Sequence, residues 1–325
     1  MALPIKKPYE SLSKYLERTL PGELESGKSR GKATADIMFE YNKEPDREMF
    51  LPFIWGDAGS PASGGGGGDP DADAYLAAVT TAGGTLLAGD ETAIQTFFTG
   101  LKTAGIYSSI ACMYPFMGGV ASSNAINAIN PGGSFDLTFN GGWTHTAGGA
   151  LSNGTNGYAD SQFNPVTEGY TTFTDFHFSY YNNGASSQIA EAYPGLALDR
   201  TTVDKFCATR MMTANSEAAI FGGNGSPFYS VPTTQEGLRL LAGDKSTYWN
   251  AWFNNSTIAS NRSITQTNFN LNAYIGCLNF NGSAYGFQNY NYVYLSMGNG
   301  FTTSEAGDYN TLVNDFQTTL GRNSY

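Results

Sequence analysis

Charge is what this 325-residue chain has least of. Charged residues make up 14% of it, against about a quarter in an ordinary soluble domain. The acidic balance, a net charge of -11, argues against binding through nucleic-acid phosphates and disfavours an anionic membrane surface. Cysteine is scarce too: Cys112, Cys207 and Cys277 are odd in number and far apart, matching neither a disulfide framework nor a metal spacing. They read as buried thiols behaving as small apolar groups. There are two histidines, His145 and His177, and no apolar run long enough to span a membrane. The first residues, Met1-Ala-Leu-Pro-Ile-Lys-Lys7, lack the apolar stretch of a secretory signal. The expected place of synthesis is therefore the cytoplasm of a host, with release by assembly into a particle and lysis.

What the chain has instead is glycine and aromatic residues: 40 Gly and 14% Phe, Trp and Tyr. Five glycines, Gly64–Gly68, separate two chemistries. Residues 1–57 hold more than half of the lysines and arginines, among them Lys28, Arg30 and Lys32. The remainder is rich in Gly, Asn, Ser, Thr, Tyr and Phe. The expected organisation is an anchoring segment (1–57), a flexible linker (58–70), a helical lead-in (71–119) and a β-sandwich with a C-terminal helix (120–325). Within the anchor, Phe50, Leu51, Phe53, Ile54 and Trp55 present more apolar surface than so short a segment encloses. Burial of such side chains is worth roughly 1.5–3 kcal/mol each, so a partner chain is their expected recipient, with docking on the body as the alternative.

Periodicity gives the elements. Tyr9, Leu12, Leu16 and Leu20 fall at helical spacing, and residues 33–41 read as extended. A helix is expected over 90–104, with Ile94, Phe97, Phe98 and Leu101 on one face and Gly105 as its stop. Asp69-Pro-Asp-Ala-Asp73 reads as an acidic helix start, because it lacks the glycine and distal Glu of a calcium loop. Alternation marks strands at Ser134–Phe139, Phe176–Tyr180 and Phe269–Cys277. Tyr248–Phe253 leads to a turn at Asn254-Asn255. Thr302 and Glu305 form a capping box for a last helix with Tyr309, Leu312, Val313, Phe316 and Leu320 buried, closed by Gly321.

Candidate chemistry is sparse. Glu191, Glu217, Glu236 and Asp244 stand singly rather than as the facing pair of a glycosidase. Neither histidine sits in a nucleophile pattern, and Gly222-Gly-Asn-Gly225 lacks the Lys and Ser/Thr of a phosphate loop. A chain without catalysis is the expectation. Sugar recognition asks less, namely ring faces beside amides and carboxylates, for which Trp249, Trp252, Tyr285, Tyr290 and Tyr292 are the candidates.

Several stretches together resemble a module of tailed-bacteriophage structural proteins. They are Asp71-Ala-Asp-Ala-Tyr-Leu76, Met113-Tyr-Pro-Phe-Met-Gly-Gly119, Leu137-Thr-Phe-Asn-Gly-Gly-Trp-Thr-His145 and Leu151-Ser-Asn-Gly-Thr-Asn-Gly-Tyr-Ala-Asp160. Tyr274–Asn279, Gly298–Ala306 and Phe316–Arg322 complete the set. The resemblance covers about residues 69–325. It implies a mainly β, two-sheet jelly roll similar to concanavalin and laminin-G modules, and a virion location. It also implies other virion proteins as partners through residues 1–57 and a homo-oligomer. Host surface glycans are the alternative partner. It implies no catalytic residue and no cofactor. Because such sandwiches often hold Ca2+ at the rim, Asp136 and Asp160 are the acids that would carry an ion. The head (decoration or fibre) and the tail or collar stay open as positions.

Overall fold

The computed structural model describes residues 68–185, 236–263 and 267–323, together with the backbone of four strands between 195 and 231. The expected anchor, with Phe50, Leu51, Phe53, Ile54 and Trp55, lies outside the described residues, as do most of the linker and the side chains of Glu191, Cys207 and Glu217.

The chain is mainly β, in antiparallel sheets with few helices. Among the described residues the α-helices are α1 (Pro70–Thr81), α2 (Asp90–Thr103), the one-turn α3 (Ala121–Asn124) and α4 (Thr303–Thr319). The first strands are β1 (Ile110–Tyr114), β2 (Thr138–Asn140), β3 (Trp143–Thr146), β4 (Gly149–Ser152), β5 (Tyr158–Asp160) and β6 (His177–Ala185). Then come β7 (Gly195–Asp199), β8 (Lys205–Thr213), β9 (Ser216–Gly223), β10 (Tyr229–Val231), β11 (Gly237–Gly243) and β12 (Tyr248–Phe253). The last are β13 (Ser256–Ser263), β14 (Tyr274–Ile275), β15 (Leu278–Phe280), β16 (Ser283–Tyr285) and β17 (Tyr290–Gly298).

The first sheet runs β13-β12-β11-β6-β17-β4-β3, with β1 sharing the far edge of β17. The second runs β10-β9-β8-β7-β14-β5-β2; β15 joins β7 in parallel and carries β16. The first sheet is buried on both sides. One face, through Phe178, Tyr180, Leu241, Trp249 and Leu295, meets Ala159, Phe163, Phe269 and Ile275 of the second sheet and its loops. The other, through Leu238, Leu240 and Tyr294, packs against Val79 of α1, Phe97 and Leu101 of α2, and Val313 and Phe316 of α4. Three layers result: helices, first sheet, second sheet. A register shift between Tyr292 and Tyr294 lets β17 present Tyr290 and Tyr292 to one core and Val293 and Tyr294 to the other, as a bulge re-aims side chains.

Local signals explain most boundaries. Asp69 caps α1 by accepting from Asp71 N at 3.0 Å and Ala72 N at 3.3 Å. Glu305 accepts from Thr302 N at 2.7 Å while Thr302 Oγ1 accepts from Glu305 N at 3.3 Å, the reciprocal pair expected of a capping box. Asn254 and Asn255, at φ 45° and 67°, close the β12–β13 hairpin with two left-handed residues.

Two expectations are corrected. The segment 71–119 is not only helical: Ile110–Tyr114 forms β1, which pairs with the last strand, Met113 opposite Ser296. Of Ser134–Phe139 only the end is strand, because Phe135 sits at φ 71°, a left-handed conformation that breaks extended pairing.

Candidate functional site

Four of the five aromatic candidates for sugar recognition belong to the core. Trp249 and Tyr290 are 1% exposed, Trp252 5% and Tyr292 0%. Their strands lie in the sheet that is covered on both faces, so their rings fill layers and offer no face to a ligand. Tyr285, on β16, is 48% exposed and lies 5.8 Å from the Phe280 ring.

A partly exposed group of rings lies elsewhere, on the outer side of the second sheet. In β5 and β14, Ala159 and Ile275 point into the shared core, so their neighbours Tyr158, Asp160 and Tyr274 point out. Register places Tyr274 opposite Asp160 and Asn140 opposite Tyr158. The Tyr158 and Tyr274 rings are 4.9 Å apart at 34°, and Phe287 lies 6.4 Å from Tyr158; all three rings are half-buried. The Asp160 carboxylate is oriented by Gln162 N at 2.7 Å and by Asn272 Nδ2 at 3.2 and 3.3 Å. Burial, and then the charge of Asp160, raise the Tyr274 phenol above its ordinary pKa. The result is a platform of rings rimmed by a fixed carboxylate and by the amides of Asn140 and Asn272.

Behind the platform, two turns lock together. Asn153 Oδ1 accepts from the amides of Thr155, Asn156 and Gly157 at 2.9–3.1 Å, and Asn156 Oδ1 accepts from Gly142 N at 3.1 Å. Trp143 Nε1 donates to Asn140 O and Tyr158 O, each at 3.2 Å, tying both turns to the strand that carries Tyr158.

Asp136 and Asp160 flank one residue, Gln162, whose Nε2 donates to Asp136 O at 3.1 Å. Their carboxylates have separate duties: Asp136 Oδ1 accepts from Asn127 N at 2.8 Å, and burial raises its pKa. Among the described residues no group of three or more His, Cys, Asp and Glu is arranged to hold a metal ion. Asp244 is a turn acid, accepting from Ser246, Thr247 and Tyr248 N at 2.9 Å each.

His177 is fully buried. Its Nδ1 lies 2.6 Å from Asn299 O, which fixes the proton there, so Nε2 accepts from Ser296 Oγ at 2.9 Å. Ser296 and Ser179 both meet Tyr309 OH, which donates to Tyr294 OH at 3.2 Å. Burial holds the imidazole far below its ordinary value, at about 3. A Ser–His contact has nucleophile geometry, but this one is sealed between α4 and the first sheet, where it satisfies polar groups. His145 is half-buried beside Phe139 at 4.5 Å, with Nδ1 3.0 Å from Asn124 Nδ2. Cys112 and Cys277 are free, buried thiols, each raised to about 12 by burial.

No protein-family model and no curated protein sequence matches the chain. Among solved structures it is similar to a Trypanosoma rangeli sialidase in complex with sialic acid, at 9% identity and a TM-score of 0.46, over 64% of this chain and 33% of that one. A mutant of that sialidase with trans-sialidase activity gives 9% and 0.47, over 70% and 39%. Domain 4 of a GH43 extracellular arabinanase from Geobacillus stearothermophilus, in complex with arabinotriose, gives 13% and 0.41, over 63% of this chain and 98% of that one. The chain spans about a third of the length of the sialidases it matches. These likenesses correct the expectation of a chain without catalysis, since glycan-active enzymes are among the structures it resembles. At such identities and TM-scores they bring neither an activity nor a catalytic residue to it.

Proposed function

We propose that the chain is a bacteriophage virion component: an appendage of the head or of the tail and collar, held through residues 1–57, that displays the two-sheet body. The observation that carries this reading is the set of stretches between Asp71 and Arg322 that resemble tailed-bacteriophage structural proteins; the structure adds where residue 69 joins the body. Asp69 N donates to Gln95 Oε1 at 2.6 Å, and Lys102 Nζ binds Asp69 and Asp71 at 2.6 Å each. The entry point is thus pinned to α1 and α2, in the helical layer. The aromatic face of the second sheet lies across two layers from it. The finer fold class, a jelly roll of the concanavalin and laminin-G kind, is part of the proposal; the pairing of β1 with β17 and the repeated crossing of the chain between sheets support it.

The ring platform favours the adhesin reading of the same body, in which display serves recognition of host surface glycans. Assembly as a homo-oligomer accompanies both. Mass spectrometry of gradient-purified particles tests the proposal. Peptides of this chain at a constant ratio to the major capsid protein are expected; recovery only from the soluble fraction of the lysate would sink it.

A further inference from the structure

The outer face of β2, β5 and β14 gathers aromatic rings beside a carboxylate and amides. The Tyr158 ring packs on that of Tyr274 at 4.9 Å, with Phe287 beyond it at 6.4 Å, where an ordinary solvent-facing sheet would carry charge or short polar groups. A pyranose presents one face of C–H bonds and a rim of hydroxyls. Stacked rings accept the first, and a fixed carboxylate with neighbouring amides accepts and donates to the second. Asp160 is held by Gln162 N and Asn272 Nδ2 before any ligand arrives, so little ordering remains for binding to impose.

Charge narrows the ligand. Among the described residues the cationic side chains are Lys102, Arg239, Lys245, Arg262 and Arg322. Lys102 pairs with Asp69 and Asp71, and Lys245 with Glu305. Arg239 and Arg322 are buried, and Arg262 sits on β13 at the edge of the other sheet. The platform therefore carries one carboxylate and no described cation, within a chain of net charge -11. Among the described residues the charge nearest the rings is Asp160, which would repel an acidic sugar.

We propose that Tyr158, Tyr274 and Phe287 with Asp160 and Asn272 form a subsite for a neutral hexose of a glycan, with the sugar face against the solvent side of the packed tyrosine pair and adjacent hydroxyls on Asp160. This rests on the adhesin reading and names its site and ligand class. The residues are not those that composition alone points to.

The test titrates the full-length chain with lactose, maltotriose and cellotriose, and with 3′-sialyllactose and trigalacturonate as acidic counterparts. Saturable binding of at least one neutral sugar is expected, with none of the acidic ones preferred. Tyr158→Ala and Tyr274→Ala should each weaken it about tenfold or more, Asp160→Asn should weaken it, and Tyr285→Ala should leave it unchanged. Saturation transfer from a chain protonated only at tyrosine to the sugar C–H protons reads the same contact without any variant. Preference for the acidic sugars, no saturable binding to any neutral one, unchanged affinity in both tyrosine variants, or absent transfer would each overturn the subsite. Particle association is scored separately, so a chain that is found on virions yet binds no sugar defeats the subsite and leaves the appendage reading standing.

Discussion

At the scale of single residues, burial decides role. Trp249 and Tyr285 are both aromatic and were equal candidates from composition, yet one is core and the other surface. Trp249→Ala should cost about 3–5 kcal/mol and Tyr285→Ala under ~1 kcal/mol, read from urea denaturation midpoints; similar costs would contradict the layer assignment. His177 makes a pH prediction. Its folded value lies near 3, below the ~6.5 of an unfolded chain. Between those values the unfolded state binds a proton that the folded state refuses, so stability is complete above pH ~6.5 and falls as pH drops. The slope is ~1.4 kcal/mol per pH unit in that window. His177→Gln, which removes the titrating ring, should lose less stability than the parent between pH 7.5 and 5. Parallel curves would mean that the imidazole is not buried neutral.

At the scale of elements, the sequence was most legible where side-chain period and capping agree. The stripe Ile94, Phe97, Phe98, Leu101 is buried in α2, Thr302 and Glu305 cap α4, and Phe178 and Tyr180 face the inter-sheet core while Ser179 faces α4. Alternation over Phe269–Cys277 marked a strand, but only Tyr274–Ile275 is one. Phe269, Ala273 and Ile275 are buried all the same. The platform was missed because its rings come from segments 116 positions apart, 158 and 274, and pairing at that separation leaves no trace in local period. A local signal did exist. Tyr158-Ala-Asp160 and Asn272-Ala-Tyr-Ile275 alternate large polar with small or aliphatic residues, the pattern of a strand with one wet face. Interlocked turns give Asn140-Gly-Gly142 and Asn153-Gly-Thr-Asn-Gly157 a structural role. A Cβ on Gly141 would lie 2.0 Å from Asn156 O at a φ of 69°, whereas Gly282, at φ 88°, has nothing within 4 Å. Gly141→Ala should destabilise by about 2 kcal/mol or more, and Gly282→Ala by only about 1 kcal/mol, as thermal unfolding would show.

At the scale of the whole molecule, two proposals meet: residues 1–57 as the attachment, and a sugar subsite on the second sheet of the body. The net charge of -11 would suit both proposals, keeping neighbouring bodies apart and disfavouring acidic ligands. The apolar cluster Phe50, Leu51, Phe53, Ile54 and Trp55 is the proposed hold on the particle. Deleting residues 1–57 separates the two proposals in one step. Particles from a lysate that makes only the shortened chain, purified on a gradient and quantified by mass spectrometry against the parent, test this directly. The account predicts a folded body that stays in the soluble fraction and is missing from particles that carry the full-length chain. Shortened chain recovered on particles at the parental ratio would contradict it and move the attachment onto the body.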